Sequence, residues 1–103
     1  MSVMVSFAIF PTDKGISVSE YVSKVVENVR SSGFSYKLTP MSTIVETNTM
    51  EEALQIVNES YQILKPHSER IYLSLTMDIK HETGSRMEQK IQSVESKIGL
   101  VTK

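Results

Sequence analysis

The chain has 103 residues, 40% of them hydrophobic and 22% charged, with 4 Gly and 3 Pro; that is enough apolar material for one folded domain over residues 1–103 and too much for a disordered chain. Lys and Arg number 11 against 12 Asp and Glu, a net charge of -1, so the charge calls for no polyanionic partner. With no cysteine, disulfides, thiolate metal sites and thiol nucleophiles are all removed, and the chain fits a reducing compartment.

No stretch reaches the ~20 apolar residues that a membrane span needs. Met1 to Val5 carries no basic segment ahead of its apolar run, so the expectation is a cytoplasmic protein without a secretory leader and without a membrane partner.

Val3 to Phe10 reads as a strand ending at Pro11. Val3, Val5, Phe7 and Ile9 alternate with Met4, Ser6, Ala8 and Phe10, the period of two of a pleated strand. After the loop Thr12-Asp13-Lys14-Gly15, Ser17 and Glu20 have capping-box spacing and open a helix. Its apolar stripe is Val18, Tyr21, Val22, Val25, Val26 and Val29. Many of these are β-branched and poor helix formers, so burial must hold the helix in place. Gly33 is the expected left-handed stop.

Ser35–Leu38 and Thr43–Glu46 read as a hairpin around Thr39-Pro40-Met41-Ser42, with Pro40 at the first central position of the turn. Thr49 with Glu52 forms a second capping box, followed by a stripe of Ala53, Leu54, Val57, Tyr61 and Leu64 and a stop at Pro66. Arg70 to Lys80 is the clearest strand: Ile71, Leu73, Leu75, Met77 and Ile79 share one face, and Tyr72, Ser74, Thr76, Asp78 and Lys80 the other. Ser85 with Glu88 begins a final helix carrying Met87, Ile91, Val94 and Ile98, with Gly99 as its stop.

The order β-α-β-β-α-β-α defines an α+β fold, a ferredoxin-like βαββαβ two-layer sandwich with an additional C-terminal helix. Two helices cover one side of such a sheet. The covered side takes Val5, Phe7, Ile9, Leu73, Leu75 and Met77; the other displays Met4, Ser6, Ala8 and Phe10 beside Tyr72, Ser74, Thr76 and Asp78. Small hydroxyl and methyl groups without Lys or Glu on the first strand suit close approach by another subunit, against the plainer alternative of a mildly polar surface.

The chemical groups are sparse. Alternation puts Glu46 on the side of Ile44, opposite Thr43 and Val45, and leaves either pair to face the helices. A carboxylate there suits an amine or a cation, or is simply an exposed strand-end residue. Asp78 and Lys80 share a face and suit a structural pair. Tyr36 fits a core edge or a ligand pocket equally; Tyr61, on a helix stripe, reads as core. His67 beside Pro66 reads as a surface or capping residue, and His81 has no second histidine nearby for a metal. There is no Gly-x-Ser-x-Gly, Walker or dinucleotide loop, and no basic surround for RNA on the open face.

The segment Tyr36-Lys37-Leu38-Thr39-Pro40-Met41-Ser42-Thr43-Ile44-Val45-Glu46 resembles the signature of the small thiamine-binding protein family. The first strand ending in Pro11, Ser17-Val18-Ser19-Glu20-Tyr21-Val22, Arg70 before the last strand and Lys90-Ile91-Gln92-Ser93-Val94 extend the resemblance over nearly the whole chain. It implies a ferredoxin-like subunit that assembles through its sheets into a homo-oligomer, dimer or tetramer, and binds thiamine or its hydroxymethylpyrimidine moiety without catalysis or a cofactor. Within the matching hairpin it implies Tyr36, Met41, Ser42, Thr43 and Glu46 as ligand-binding residues; Ser6 and Asp78 join them from the face argument. Thr43 and Glu46 point to opposite faces of a regular strand, so a single pocket needs a bulge, a strand end or a second subunit. The rival reading is a structural or regulatory protein-interaction module.

Overall fold

The computed structural model describes residues 1–15 and 18–81. Strand β1 (Ser2–Pro11) leads to helix α1 (Ser19–Ser31), the hairpin β2 (Ser35–Leu38) and β3 (Thr43–Thr47), helix α2 (Met50–Leu64), a 3₁₀ turn at Lys65–His67, and β4 (Ile71–Lys80). The four strands form one antiparallel sheet in the order β2-β3-β1-β4, the α+β arrangement of the ferredoxin-like sandwich. The expected third helix and its Ser85–Glu88 box lie outside the described residues, as does Ser17, the expected cap of α1.

β1 is central because it pairs on both edges. Val5 stands opposite Val45 on β3 and Met77 on β4, and Phe7 opposite Thr43 and Leu75. Val3, Val5, Phe7 and Ile9 are buried with Val45 against Val25 and Val29 of α1 and Ala53, Ile56, Val57 and Leu64 of α2. The register settles the question that alternation left open: Thr43, Val45 and Thr47 are buried on the helix side, and Ile44 and Glu46 lie on the open side.

α1 is capped at Val18, one residue after its expected cap, with the Val18 carbonyl accepting from Tyr21 and Val22 N–H. It ends at Ser32 before Gly33, whose φ of +83° is the left-handed conformation that favours glycine. α2 has its capping box in full. Thr49 Oγ1 accepts the Glu52 N–H at 3.1 Å, and Glu52 Oε1 accepts the Thr49 N–H at 2.9 Å. Its buried face differs from the expected stripe: Ala53, Ile56, Val57, Ser60 and Leu64 are buried, whereas Leu54 and Tyr61 are exposed on the flank. Ser60 fits there because its hydroxyl donates to the Ile56 carbonyl at 2.8 Å. A helical face takes residues three and four apart, and Leu54 and Tyr61 sit one step round from it.

A second correction concerns β4. Leu73, Leu75 and Met77 face the helix side through their pairing with Ile9, Phe7 and Val5, yet Leu73, Leu75 and Ile79 remain 41%, 37% and 42% exposed. The packing concentrates on β1 and β3, and β4 is an edge strand beside them.

One polar tie joins the two loops at this end of the sheet. The Asp13 carboxylate accepts from the Ser68 hydroxyl and from the Glu69 N–H, the latter at 3.0 Å. The Ser68 bond first and the Glu69 bond second hold this carboxyl below its ordinary value of 3.8. Its contribution to stability is therefore complete above that value and lost as the pH falls through the lowered one. Asp13→Ala should be less stable than the wild type in urea unfolding at neutral pH, and the difference should shrink toward zero in acid below the Asp13 value.

Candidate functional site

β1 has ten residues and β3 five, and the mismatch makes a groove. Pairing between them stops at Phe7↔Thr43, so β1 runs on past the hairpin turn. The turn is drawn together around Thr39. Its N–H donates to the Ser42 carbonyl at 2.9 Å, and its Oγ1 accepts from Ser42 N–H at 3.0 Å and Met41 N–H at 3.3 Å. Between the end of β1, the turn and α1 lies an open groove of about 210 Å³. Phe7 and Ile9 line it from β1, Val22 and Val25 from α1, and Met41 and Ser42 from the turn. That volume is below the roughly 300–1,000 Å³ of drug-sized sites and suits one small ring.

The residues expected at a site divide between the two faces. Thr43 and Tyr36 point to the helix side; Thr43 is buried and lines the groove, and Tyr36, opposite Val45, is partly exposed at the β2 edge. Met41, 87% exposed, stands on the groove's rim. Ser42 lines the groove and also reaches the open face, where its hydroxyl hydrogen-bonds that of Ser6 at 2.8 Å. Glu46 and Asp78 flank Met4 in one row across the open face. Glu46 is four positions along β3 from Ser42, roughly 13 Å of strand, so these carboxylates do not meet the groove. The strand end is thus what brings Ser42 and Thr43 to one place despite their opposite directions.

The groove walls Phe7, Ile9, Val22 and Val25 read from sequence only as core. The available signal was length: a long first strand beside a short hairpin leaves one strand unpaired at its end. Elsewhere, Phe10 and Tyr72 meet on the open face with ring centroids 5.3 Å apart. A polar hollow by Lys14 and Lys65 also holds Asp13 and Glu69, so it selects no charge. Among the described residues no group of three or more His, Asp or Glu is placed to hold a metal ion, and no helix is long and apolar enough to cross a membrane.

This is a small ferredoxin-like α+β chain with a groove of apolar walls and a few hydroxyls at the end of its hairpin. The chain belongs to the thiamine-binding protein family, whose model matches residues 5–95. It is 28% identical to a UPF0045 protein of Mycobacterium bovis over 92% of this chain and 93% of that one. It is 30% identical to one of Clostridium perfringens over 84% and 90%. A crystallised protein of Methanocaldococcus jannaschii superposes with a TM-score of 0.81 at 26% identity, covering 90% of this chain and 95% of that one. A Thermotoga maritima protein assigned provisionally to thiamine biosynthesis or salvage superposes at 0.78 and 26%, covering 91% and 99%. The family is described by what it binds and is not a known enzyme class.

The Ser6–Ser42 bond joins the middle of β1 to the turn that forms the groove. In a double-mutant cycle, Ser6→Ala and Ser42→Ala should show a coupling of about 0.5–1.5 kcal/mol in denaturant unfolding. A coupling of zero would mean that the turn is held by Thr39 alone.

Proposed function

We propose that this chain is a non-enzymatic small-molecule-binding protein of the cytoplasm whose ligand is thiamine or its hydroxymethylpyrimidine moiety. The observation that carries the reading is the groove at the Leu38–Thr43 turn, inside the hairpin whose sequence resembles the family signature. Family membership and the Thermotoga maritima neighbour supply the ligand class. A single heterocycle with short substituents matches the groove in size. Its faces pack on Phe7, Val22 and Val25, the Met41 thioether covers the rim, and Ser42 and Thr43 bring hydroxyls.

Calorimetric titration with hydroxymethylpyrimidine and with thiamine tests this. Met41→Ala, at an exposed position that folding does not depend on, should weaken binding about two- to tenfold, the worth of a sulfur–ring contact. No heat from either compound at millimolar concentration defeats the ligand reading and favours an interaction module.

The open face supports self-association as a homo-oligomer, dimer or tetramer. Met4, Ser6, Ala8 and Phe10 on β1 stand beside Asp78, Thr76, Ser74 and Tyr72 on β4, a surface of small and apolar groups with Glu46 and Asp78 confined to one row. Light scattering after size exclusion should give a mass above one chain for the wild type, and Ser74→Arg, opposite Ala8, should reduce it. A wild-type monomer at micromolar concentration would refute the assembly.

A further inference from the structure

Two hydrogen bonds, one in the β1–β4 pairing and one in the β2–β3 pairing, fix which way each peptide group of β1 points. In an antiparallel ladder, opposed residues alternate between hydrogen-bonded and non-bonded pairs, and a bonded residue turns both its N–H and its C=O to the same neighbour. Thr12 N–H donates to the Arg70 carbonyl at 2.9 Å, one step beyond Pro11↔Ile71 in the β1–β4 register. Counting back in twos, Phe10, Ala8 and Ser6 turn their peptide groups to β4, and Ile9, Phe7 and Val5 turn theirs to the β3 side. The β2–β3 pairing gives the same parity independently. Thr39 N–H donates to the Ser42 carbonyl, one step beyond Leu38↔Thr43, so Ser42 and Ile44 bond toward β2, and Thr43 and Val45 bond toward β1.

Phe7 and Thr43 are thus the last bonded pair between β1 and β3. Ile9 is the next β1 residue whose N–H and C=O point that way, and by register its partner would be Met41. The turn takes Met41 elsewhere: its N–H goes to Thr39 Oγ1. Among the described residues, Ile9 therefore has no β3 partner, and its peptide edge lies on the groove that Ile9 lines. Pro11 fits the same pattern. Its missing N–H would point to this unpaired side, so the proline removes no bond to β4.

We propose that the Ile9 N–H and C=O are the recognition edge of the groove, and that they read a flat heterocycle carrying an amino donor next to a ring-nitrogen acceptor. The amino N–H donates to the Ile9 carbonyl and the ring nitrogen accepts from the Ile9 N–H, so the ring extends the sheet by one partner. An aminopyrimidine has this edge; a ring with a carbonyl beside a protonated nitrogen presents the reverse order and also pairs, while a ring lacking the donor does not. The assignment rests on the ligand reading above for its choice of pyrimidine, whereas the free edge is a property of the chain alone. Its apolar surroundings make the two bonds count, because water is the only competing partner.

Amide hydrogen exchange and ¹⁵N-correlation spectra of the full chain test both parts. Without ligand, the Ile9 amide should exchange at least tenfold faster than those of Phe7 and Val5; equal protection would show that the edge is already paired and overturn the proposal. With hydroxymethylpyrimidine, the Ile9 amide should shift most and its exchange should slow about tenfold, and the 4-dimethylamino analogue should bind about tenfold more weakly. Binding that leaves Ile9 unmoved and shifts Met4, Glu46 and Asp78 would overturn the groove assignment while the ligand reading stands. No shift anywhere at millimolar pyrimidine, with a fast Ile9 amide, would overturn both the ligand and the edge's role in reading it.

Discussion

β1 is paired on both edges, and the alternation of Val3, Val5, Phe7 and Ile9 with Met4, Ser6, Ala8 and Phe10 is the constraint on which the rest of the molecule is registered. A slip of one residue would turn Met4, Ser6 and Ala8 toward the helices and put four large apolar groups on the open face. The same register decides what β3 and β4 present: Val45 and Met77 go inward because Val5 does, and Glu46 and Asp78 go outward because Met4 does. It also decides the direction of every peptide group, which side-chain alternation alone does not reveal. Fold, surface and groove all follow from one strand.

Much of this was legible in the residues. The alternation of β1 and β4 and the Thr49–Glu52 box describe purely local chemistry, and local chemistry survives into the folded chain. The face of Glu46 was not legible, because four alternating residues fit either way round until a neighbouring strand fixes them. The α2 stripe was misread at Leu54 and Tyr61 for a related reason. Hydrophobicity favoured them over Ser60, but a serine that returns its hydroxyl to the carbonyl four residues back is satisfied inside a core. The position of a residue on the helix outweighed its polarity.

The groove was hidden for a different reason: no residue type marks it. It exists because β1 outlasts the β2–β3 hairpin and because Thr39 folds the turn back on itself with its own hydroxyl. Phe7, Val22 and Val25 serve the core and the groove walls together, so their burial does not distinguish the two roles. Met41 at the rim, 87% exposed, has a placement that a core does not explain.

A site read by a peptide edge also accounts for what the sequence lacks. Searches for paired carboxylates, nucleophiles, metal ligands and phosphate loops look for side chains that carry chemistry, and this chain has none in a recognisable spacing. Binding a flat ring needs none of them. It needs apolar walls, which any small core supplies, and a donor and acceptor at fixed separation, which every extended residue carries. What is uncommon is an extended residue left unpaired beside an apolar cleft, since sheets normally consume such edges. Here the short hairpin leaves one available at Ile9, and its position is set by strand lengths and turn chemistry, so substitution of the Ile9 side chain by another β-branched residue would preserve the recognition edge, while a longer hairpin would pair Ile9 and close it.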